Sequence, residues 1–545
     1  MIKKLIGFII IVSLLTSLQL VVYSENEIYD FSKDNAQYEY DLLVHLGIFT
    51  PEDYFEFNPN YEINRGEFVR LVVGLIGGPD DELSLPQSPF LDVTRDDEIY
   101  PYLEKALKFN IISEGKYFLA DESISLEQIA KMLVVALGYE AKAQLLGGWP
   151  YGYTKVANEI KLFSNMSFSK DILWADALTM ICRALETPVL DVSSVGDGIT
   201  FSTNKEKTPL SVYLKLKKIE GILNTNSKIS LFDADHIIAN QIKVGDIVCK
   251  TESKFADQFL GMLVNAYLEA EDEILVSIAP TLNKNNILKV DDVEILDNQA
   301  DTRNFSYEKN EKEETVKLSP NVYFIYNNVP CDMEVSLLHP ANGFVNLIDN
   351  NGDKAYDVVI VKEYEPYIIK SYSAVTEKIY DKLDKEITLN RENTTLVFPD
   401  GSIAAEKELK EGNIANIIEY HMKGEAYFDV IINNDYIIGE ITETGDDFIS
   451  IDDEEFDTGL SFEAIRDTQH PLTKCLELGT MVAAYFDVNG RIGAVINSEF
   501  SSGGVLYGWL KDYNKKTSLS KELSLEIFNT QSEWIIFECT KKNKA

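Results

Sequence analysis

A chain of 545 residues is too long for a single hydrophobic core, and about three or four domains are expected. Its 50 basic against 89 acidic residues give a net charge of −39, a surface that repels nucleic acid and anionic lipid and argues against both as partners. The five cysteines, Cys182, Cys249, Cys331, Cys475 and Cys539, are odd in number, far apart and in no metal-ligand spacing; they read as small hydrophobes, with a disulfide as the minor alternative.

The chain opens Met1-Ile2-Lys3-Lys4 and continues in an apolar run from Leu5 to Val22. A basic start, an apolar stretch and the small residues around Val22-Tyr23-Ser24 form the pattern of a cleaved export signal over residues 1–24. The alternative is a retained membrane anchor, since the run nearly spans a bilayer. Ser13, Thr16, Ser17 and Gln19 weaken that alternative. The mature chain is therefore expected outside the cytoplasm, secreted to the cell surface and free of the membrane after cleavage.

Up to about residue 190, apolar residues recur at helical spacing, and one plan repeats three times, over 38–77, 90–139 and 149–187. Each unit has a short helix, a loop and a second helix opening on a polar cap. In the first, Tyr40, Leu42, Leu43 and Leu46 face inward and Gly47 ends the helix. The second helix opens Asn64-Arg65-Gly66-Glu67, in which Asn64 caps and Glu67 reaches back, and Phe68, Val69, Leu71, Val72 and Leu75 follow as its buried face.

The second unit enters on Phe90-Leu91-Asp92-Val93, and its second helix opens with the capping box Ser125-Leu126-Glu127-Gln128. The third begins Gly148-Trp149-Pro150-Tyr151-Gly152-Tyr153, and its second helix opens Leu173-Trp174-Ala175-Asp176. A two-helix unit cannot bury its apolar face alone, so the three must pack together.

The segment 191–209, rich in Ser, Gly, Thr and Lys, reads as a linker. Beyond it, β-rich regions are expected over 210–370 and 371–545, with strands such as Val322–Tyr326 and Val358–Val361 and turns such as Asn327-Asn328 and Asn489-Gly490. Glycines at Gly245, Gly412 and Gly479 share one shape, a glycine, one residue, then a strand, which suggests several small modules of one kind. A strand at Trp534–Phe537 stands close to the end of the sequence, with little after it to close a module. The expected fold class is multidomain: an N-terminal all-α three-repeat bundle followed by several β-rich modules.

The three helical units resemble the S-layer-homology (SLH) domain of bacterial surface proteins. The resemblance covers roughly residues 38–187 and rests on Phe90-x-Asp92-Val93, on Gly152-Tyr153-x-Lys155-Val156-Ala157-Asn158 and on the cap positions. It implies a pseudo-threefold bundle whose grooves bind a secondary cell-wall polysaccharide, often one with pyruvylated sugars, and other surface-layer subunits as further partners. In that family the second helix usually opens Thr-Arg-Ala-Glu, with the arginine in the groove. A guanidinium at a helix N-terminus is well placed to hold a carboxylate.

By that resemblance Arg65 is the polymer-binding arginine, flanked by Asn64 and Glu67, though a solvated surface arginine is the plain alternative. Leu126 and Trp174 stand where the other two arginines would be. Trp174 either stacks on a sugar face or belongs to the core. The region 210–370 also looks like the β-rich segments that follow such repeats in surface proteins of Gram-positive anaerobes, on Leu318-Ser319-Pro320-Asn321 and Gly343-Phe344-Val345-Asn346.

The spacings of metalloproteases, serine hydrolases, P-loops and dinucleotide folds are absent, and His45, His236, His339, His421 and His470 form no ligand-like pair. Asp349, Asn351, Asp353 and Asp357 stand at positions 1, 3, 5 and 9 of a loop that could wrap a calcium ion. Against this, Lys354 replaces the expected glycine and Ile360 the expected glutamate, so the other reading is a hairpin turn. The function expected is a non-catalytic wall-anchored surface protein that displays β-modules in structural or adhesive roles. The alternatives are a wall-anchored polysaccharide-acting enzyme and a degenerate assembly module.

Overall fold

The computed structural model describes residues 35–51, 57–80, 82–85, 87–168, 171–195, 198–226, 228–232, 240–251, 255–296, 303–422, 424–467, 476–497, 508–514, 523–529 and 534–539. The expected export signal at 1–24 and Cys475 lie outside these residues. The chain forms two compact units, one of residues up to 339 together with 345–361, the other of 340–344 together with 362 onward. Helices gather in the N-terminal region and β-sheets follow, a multidomain layout.

Among the described residues, seven helices make up the N-terminal region: α1 (Asn35–His45), α2 (Arg65–Leu75), α3 (Tyr100–Lys108), α4 (Leu126–Ala136), α5 (Glu140–Leu145), α6 (Tyr151–Glu159) and α7 (Trp174–Glu186). Their apolar faces share one core, to which α2 gives Phe68, Leu71 and Val72, α4 gives Ile129 and Leu133, and α7 gives Leu178 and Ile181. Both expected capping boxes form. Asn64 Oδ1 accepts the Glu67 amide at 2.8 Å while Glu67 Oε2 accepts the Asn64 amide at 2.8 Å. Gln128 Oε1 likewise accepts the Ser125 amide at 3.1 Å.

Three helix ends share one geometry. α1, α3 and α6 run into Gly47, Asn110 and Lys161, with φ of 69°, 58° and 65°. The next amide then returns to the helix: Ile48 to the Leu43 carbonyl, Ile111 to Ala106 and Leu162 to Ala157, each at 2.9 Å. This is the left-handed helix stop that glycine suits best.

The segment expected as a linker holds structure instead. β1 (Leu190–Val195) and β2 (Gly198–Thr203) pair as an antiparallel hairpin, and α8 (Pro209–Val212) adds one helical turn. Val192, Ile199, Thr200 and Phe201 are strand-forming residues set among the serines and threonines that suggested a linker. The Leu190 amide donates to the Leu137 carbonyl at 3.0 Å, which ties the hairpin to the end of α4.

The next five strands are β3 (Leu216–Thr225), β4 (Gln241–Val244), β5 (Ile247–Lys250), β6 (Leu263–Glu269) and β7 (Leu275–Pro280), in spatial order β5-β4-β3-β6-β7. A parallel bridge from Lys250 to Ile274 brings the two edges together, so the sheet curls into a partly open barrel. A second sheet follows from β8 (Asn286–Asp291), β9 (Asn304–Lys309), β10 (Lys312–Tyr326), β11 (Val329–Pro330), β12 (Gly343–Asp349) and β13 (Ala355–Glu363). There β10 and β13 run parallel and bury Phe324, Val359 and Val361 between neighbours.

The second unit repeats the five-strand order. β14 (Glu365–Ser373), β15 (Lys378–Asp381), β16 (Glu386–Thr388), β17 (Thr394–Val397), β18 (Ile414–Met422) and β19 (Glu425–Asn433) run β16-β15-β14-β18-β19-β17, with β17 parallel to β19. β20 (Tyr436–Thr444), β21 (Phe448–Ile451), β22 (Glu454–Asp457), β23 (Met481–Phe486) and β24 (Ile492–Asn497) run β22-β21-β20-β23-β24, with α9 (Leu460–Asp467) between β22 and β23. A parallel bridge from Thr458 to Ile492 again joins the edges. A three-stranded meander, β25 (Gly508–Asn514), β26 (Leu523–Asn529) and β27 (Trp534–Cys539), ends the described chain.

In each of these three sheets, of five, six and five strands, the first strand bends at a bulge, after Leu223, Ile369 and Ile441. A left-handed glycine pins each bend. The amides of Gly261, Gly412 and Gly479 donate to the carbonyls of those three residues at 2.9, 2.9 and 2.8 Å. Gly412 and Gly479 are two of the three glycines that share the pattern of a glycine, one residue and a strand. Gly245 instead turns β4 into β5, and Gly261 takes the matching place.

Candidate functional site

The chain just before α2 lies between two other parts of the helical region. The Ile63 amide donates to the Ile172 carbonyl at 3.0 Å, Arg65 to Glu122 at 2.9 Å and Gly66 to Ala120 at 2.8 Å. This close approach explains Gly66, since a Cβ there would sit 2.8 Å from Ile99 Cδ1 and 3.3 Å from the Ala120 carbonyl oxygen. Arg65 thus leaves the first position of α2 at a junction with the 118–123 segment.

Its guanidinium lies 4.9 Å over the Phe118 ring, a cation–π contact in a half-buried setting. The Nε atom is buried and has no hydrogen-bond partner. Burial pulls the Arg65 pKa below its ordinary value, and the nearby Asp92 carboxylate pulls the other way. The guanidinium keeps its charge, because arginine starts so high.

Asp92 builds this platform. Its carboxylate accepts the amides of Phe118 and Leu119, each at 2.8 Å, and so holds the aromatic ring beneath Arg65. Burial would raise its pKa, but the amides of Leu119 and Phe118 and the charge of Arg65 outweigh that and lower it. A second cation stands within electrostatic reach: burial lowers the Lys131 pKa, Glu140 opposes, and Arg65 lowers it further. Lys131 Nζ donates to Ser113 Oγ at 2.8 Å.

Two cations, an aromatic face and a helix start are a donor set suited to an anionic oxygen. Asn64 and Glu67 serve the helix end through their reciprocal bonds and thereby fix where Arg65 points. Sequence reasoning missed Phe118 and Lys131. It counted Asp92 only as part of a signature, although that signature was the available signal.

Trp174 does not belong to this set. It is only 3% exposed, with its ring centroid 5.4 Å from that of Phe49 and 6.2 Å from that of Phe57, so no sugar face can reach it. Of the two expected roles, core packing is the one it plays. Leu126 is half-buried and packs against the same core.

The Asp349 loop is the turn between β12 and β13, and its oxygens serve its own backbone. Asp349 Oδ1 accepts the Gly352 amide at 2.7 Å and Oδ2 accepts that of Lys354 at 3.0 Å. Asn351 Oδ1 accepts the Asp353 amide, and Asp353 Oδ1 that of Ala355, both at 2.8 Å. Asp357 Oδ2 accepts the Asn351 side-chain amide at 3.1 Å. Burial raises the Asp357 pKa, the Asn350 amide opposes, and the Asp353 and Asp349 charges add to the rise. Among the described residues no three His, Cys, Asp or Glu side chains are grouped to hold a metal ion, and the loop forms the turn of the β12–β13 hairpin.

Among the described residues no helix is long and apolar enough to cross a membrane. No protein-family model matches the chain, and no curated protein matches it.

Proposed function

We propose that the protein is a non-catalytic cell-surface component whose helical region, three SLH-like units, anchors it to an anionic secondary cell-wall polysaccharide, while the β-modules are displayed beyond the wall in structural or adhesive roles. The observation that carries this reading is the Arg65 site: a half-buried guanidinium on an aromatic face, with a buried N–H lacking a partner and a second cation nearby. An unpaired buried donor is costly, and an incoming carboxylate or phosphate would satisfy it. The shared geometry at Gly47, Asn110 and Lys161 supports reading the helices as repeats of one unit. Since Leu126 and Trp174 occupy the other two arginine positions, the proposal assigns binding to one groove.

The test is co-sedimentation of the full mature chain with Gram-positive cell walls before and after acid extraction of their secondary polymer. Wild type should pellet only on unextracted walls. Arg65→Ala should weaken pelleting roughly 10- to 100-fold, the loss of one hydrogen-bonded charge. Lys131→Ala should have a smaller effect in the same direction. Pelleting that ignores both the extraction and Arg65 would remove the anchor reading.

A further inference from the structure

An asparagine followed by glycine can react with itself, because glycine has no Cβ to hinder its amide nitrogen as it closes on the asparagine side chain. The chain has three such pairs, Asn342-Gly343, Asn351-Gly352 and Asn489-Gly490. They stand in different surroundings.

Two of them are held in ways that oppose reaction. Asn342 is 1% exposed, its side-chain amide donates to the Tyr364 carbonyl at 3.1 Å, and its Oδ1 accepts Arg491 Nη2 at 3.1 Å. Asn489 is half-buried and its side-chain amide donates to the Gly343 carbonyl at 3.1 Å. The Gly490 amide donates to the Asp487 carbonyl at 3.2 Å, and a carbonyl oxygen is too weak a base to take a proton from an attacking nitrogen.

Asn351 and Gly352 are both exposed to water, and each of their reacting atoms has a partner of the right kind. The Gly352 amide, the nucleophile, donates to a carboxylate oxygen, Asp349 Oδ1, at 2.7 Å. Asn351 Oδ1 gathers negative charge when its carbon is attacked, and it accepts the Asp353 amide at 2.8 Å. Asn351 Nδ2, the leaving nitrogen, donates to Asp357 Oδ2 at 3.1 Å. Burial raises the Asp357 pKa, so this carboxyl carries a proton more often than a solvated one would. A base, an oxyanion donor and an acid thus surround one side-chain amide.

We propose that the turn between β12 and β13 is a self-modification site, at which the protein converts its own Asn351 to aspartate or isoaspartate. The Gly352 nitrogen bonds to Asn351 Cγ and passes its proton to Asp349. The Cγ–Nδ2 bond breaks, and Nδ2 leaves as ammonia with a proton from Asp357. Water then opens the cyclic imide at either carbonyl, giving aspartate, or isoaspartate with the main chain rerouted through the side-chain carbon. A neutral amide becomes a carboxylate, so each event adds a negative charge to the turn. The site is independent of Arg65 and of the anchor reading.

The test incubates the full mature chain in neutral buffer made with heavy-oxygen water and follows all three pairs by peptide mapping and mass spectrometry. Asn351 should lose ammonia and gain a solvent oxygen about tenfold or more faster than Asn342 or Asn489. That advantage should vanish in chain unfolded with urea, where local sequence alone acts. Asp349→Asn and Asp357→Asn keep a hydrogen-bonding oxygen but cannot relay a proton. Each should slow conversion of Asn351 about tenfold and leave that of Asn489 unchanged.

An Asn351 that survives as long as Asn342 would overturn the proposal, and so would an advantage that persists in urea. Either variant reacting as fast as wild type or faster would also overturn it, since the carboxylates would then lock the turn and not assist its chemistry.

Discussion

Arg65 and Trp174 are the first residues of α2 and α7, yet one is half-exposed and the other buried. The difference comes from neighbours far away in sequence. Trp174 meets Phe49 and Phe57, whereas Arg65 meets Phe118 on a segment held by Asp92. That both residues open a helix was legible from the sequence because periodicity and caps are local. Which side of the wall a residue faces depends on tertiary packing, and so was not. Asn416 shows the same limit. It sits mid-strand in β18 among apolar residues, fully buried, and neither its Nδ2 nor its Oδ1 has a partner. Leucine has nearly the same shape without the unmet polar atoms. Asn416→Leu should therefore stabilise the protein by about 1–3 kcal/mol in urea unfolding. A loss of stability would mean that the amide has a partner the structure does not reveal.

Among elements, the helices were the more legible part. Both capping boxes and the Gly47 stop appear as expected, since each is a signal within a few residues. The β-modules were harder to read. The pattern of a glycine, one residue and a strand marks a pinned bulge at Gly412 and Gly479 but only a tight turn at Gly245, because both features need a left-handed residue before an extended one. Strand pairing, which separates the two, is non-local. The pinned glycines also differ among themselves. A Cβ at Gly412 would lie 2.8 Å from the Tyr485 hydroxyl, whereas at Gly479 nothing comes nearer than 3.6 Å. Gly479→Ala should cost about 1–2 kcal/mol, the penalty of the backbone alone. Gly412→Ala should cost about 1–3 kcal/mol more through overpacking, read by chemical denaturation. Equal losses would count against the crowding at Tyr485.

For the molecule as a whole, acidity sets the response to pH through two opposed effects. Few of the carboxylates among the described residues are buried, and protonating the exposed ones relieves mutual repulsion. A few are bound tightly in the fold. Glu104 is 7% exposed and accepts the Ser84 hydroxyl at 2.8 Å and the Leu85 amide at 3.3 Å. Burial would raise its pKa, but the Ser84 and Leu85 donors outweigh burial and lower it. Asp92 is lowered in the same way, burial being outweighed by the amides it accepts and by Arg65. A carboxylate with a lowered pKa stabilises the fold fully above its unfolded value and loses that contribution as the pH falls through its folded one. Thermal unfolding of the helical region should therefore improve modestly from pH 8 toward the carboxylate range and then fall steeply below about pH 4. Glu104→Gln should flatten the acid limb. A melting temperature that keeps rising below that point would refute this account.

α1, the first helix among the described residues, packs against elements far along the chain. α1 lies on α7, and the Thr179 hydroxyl donates to Glu39 at 2.6 Å across 140 residues of sequence. At a synthesis rate of about 5–20 residues per second, α1 must wait roughly 10–30 s for that surface to emerge. Throughout that interval Leu42, Leu43 and Val44 have no partner from α7. A chain stalled or cut before residue 174 would carry this sticky face permanently, and even with α7 in place α1 still awaits β7, some hundred residues further on.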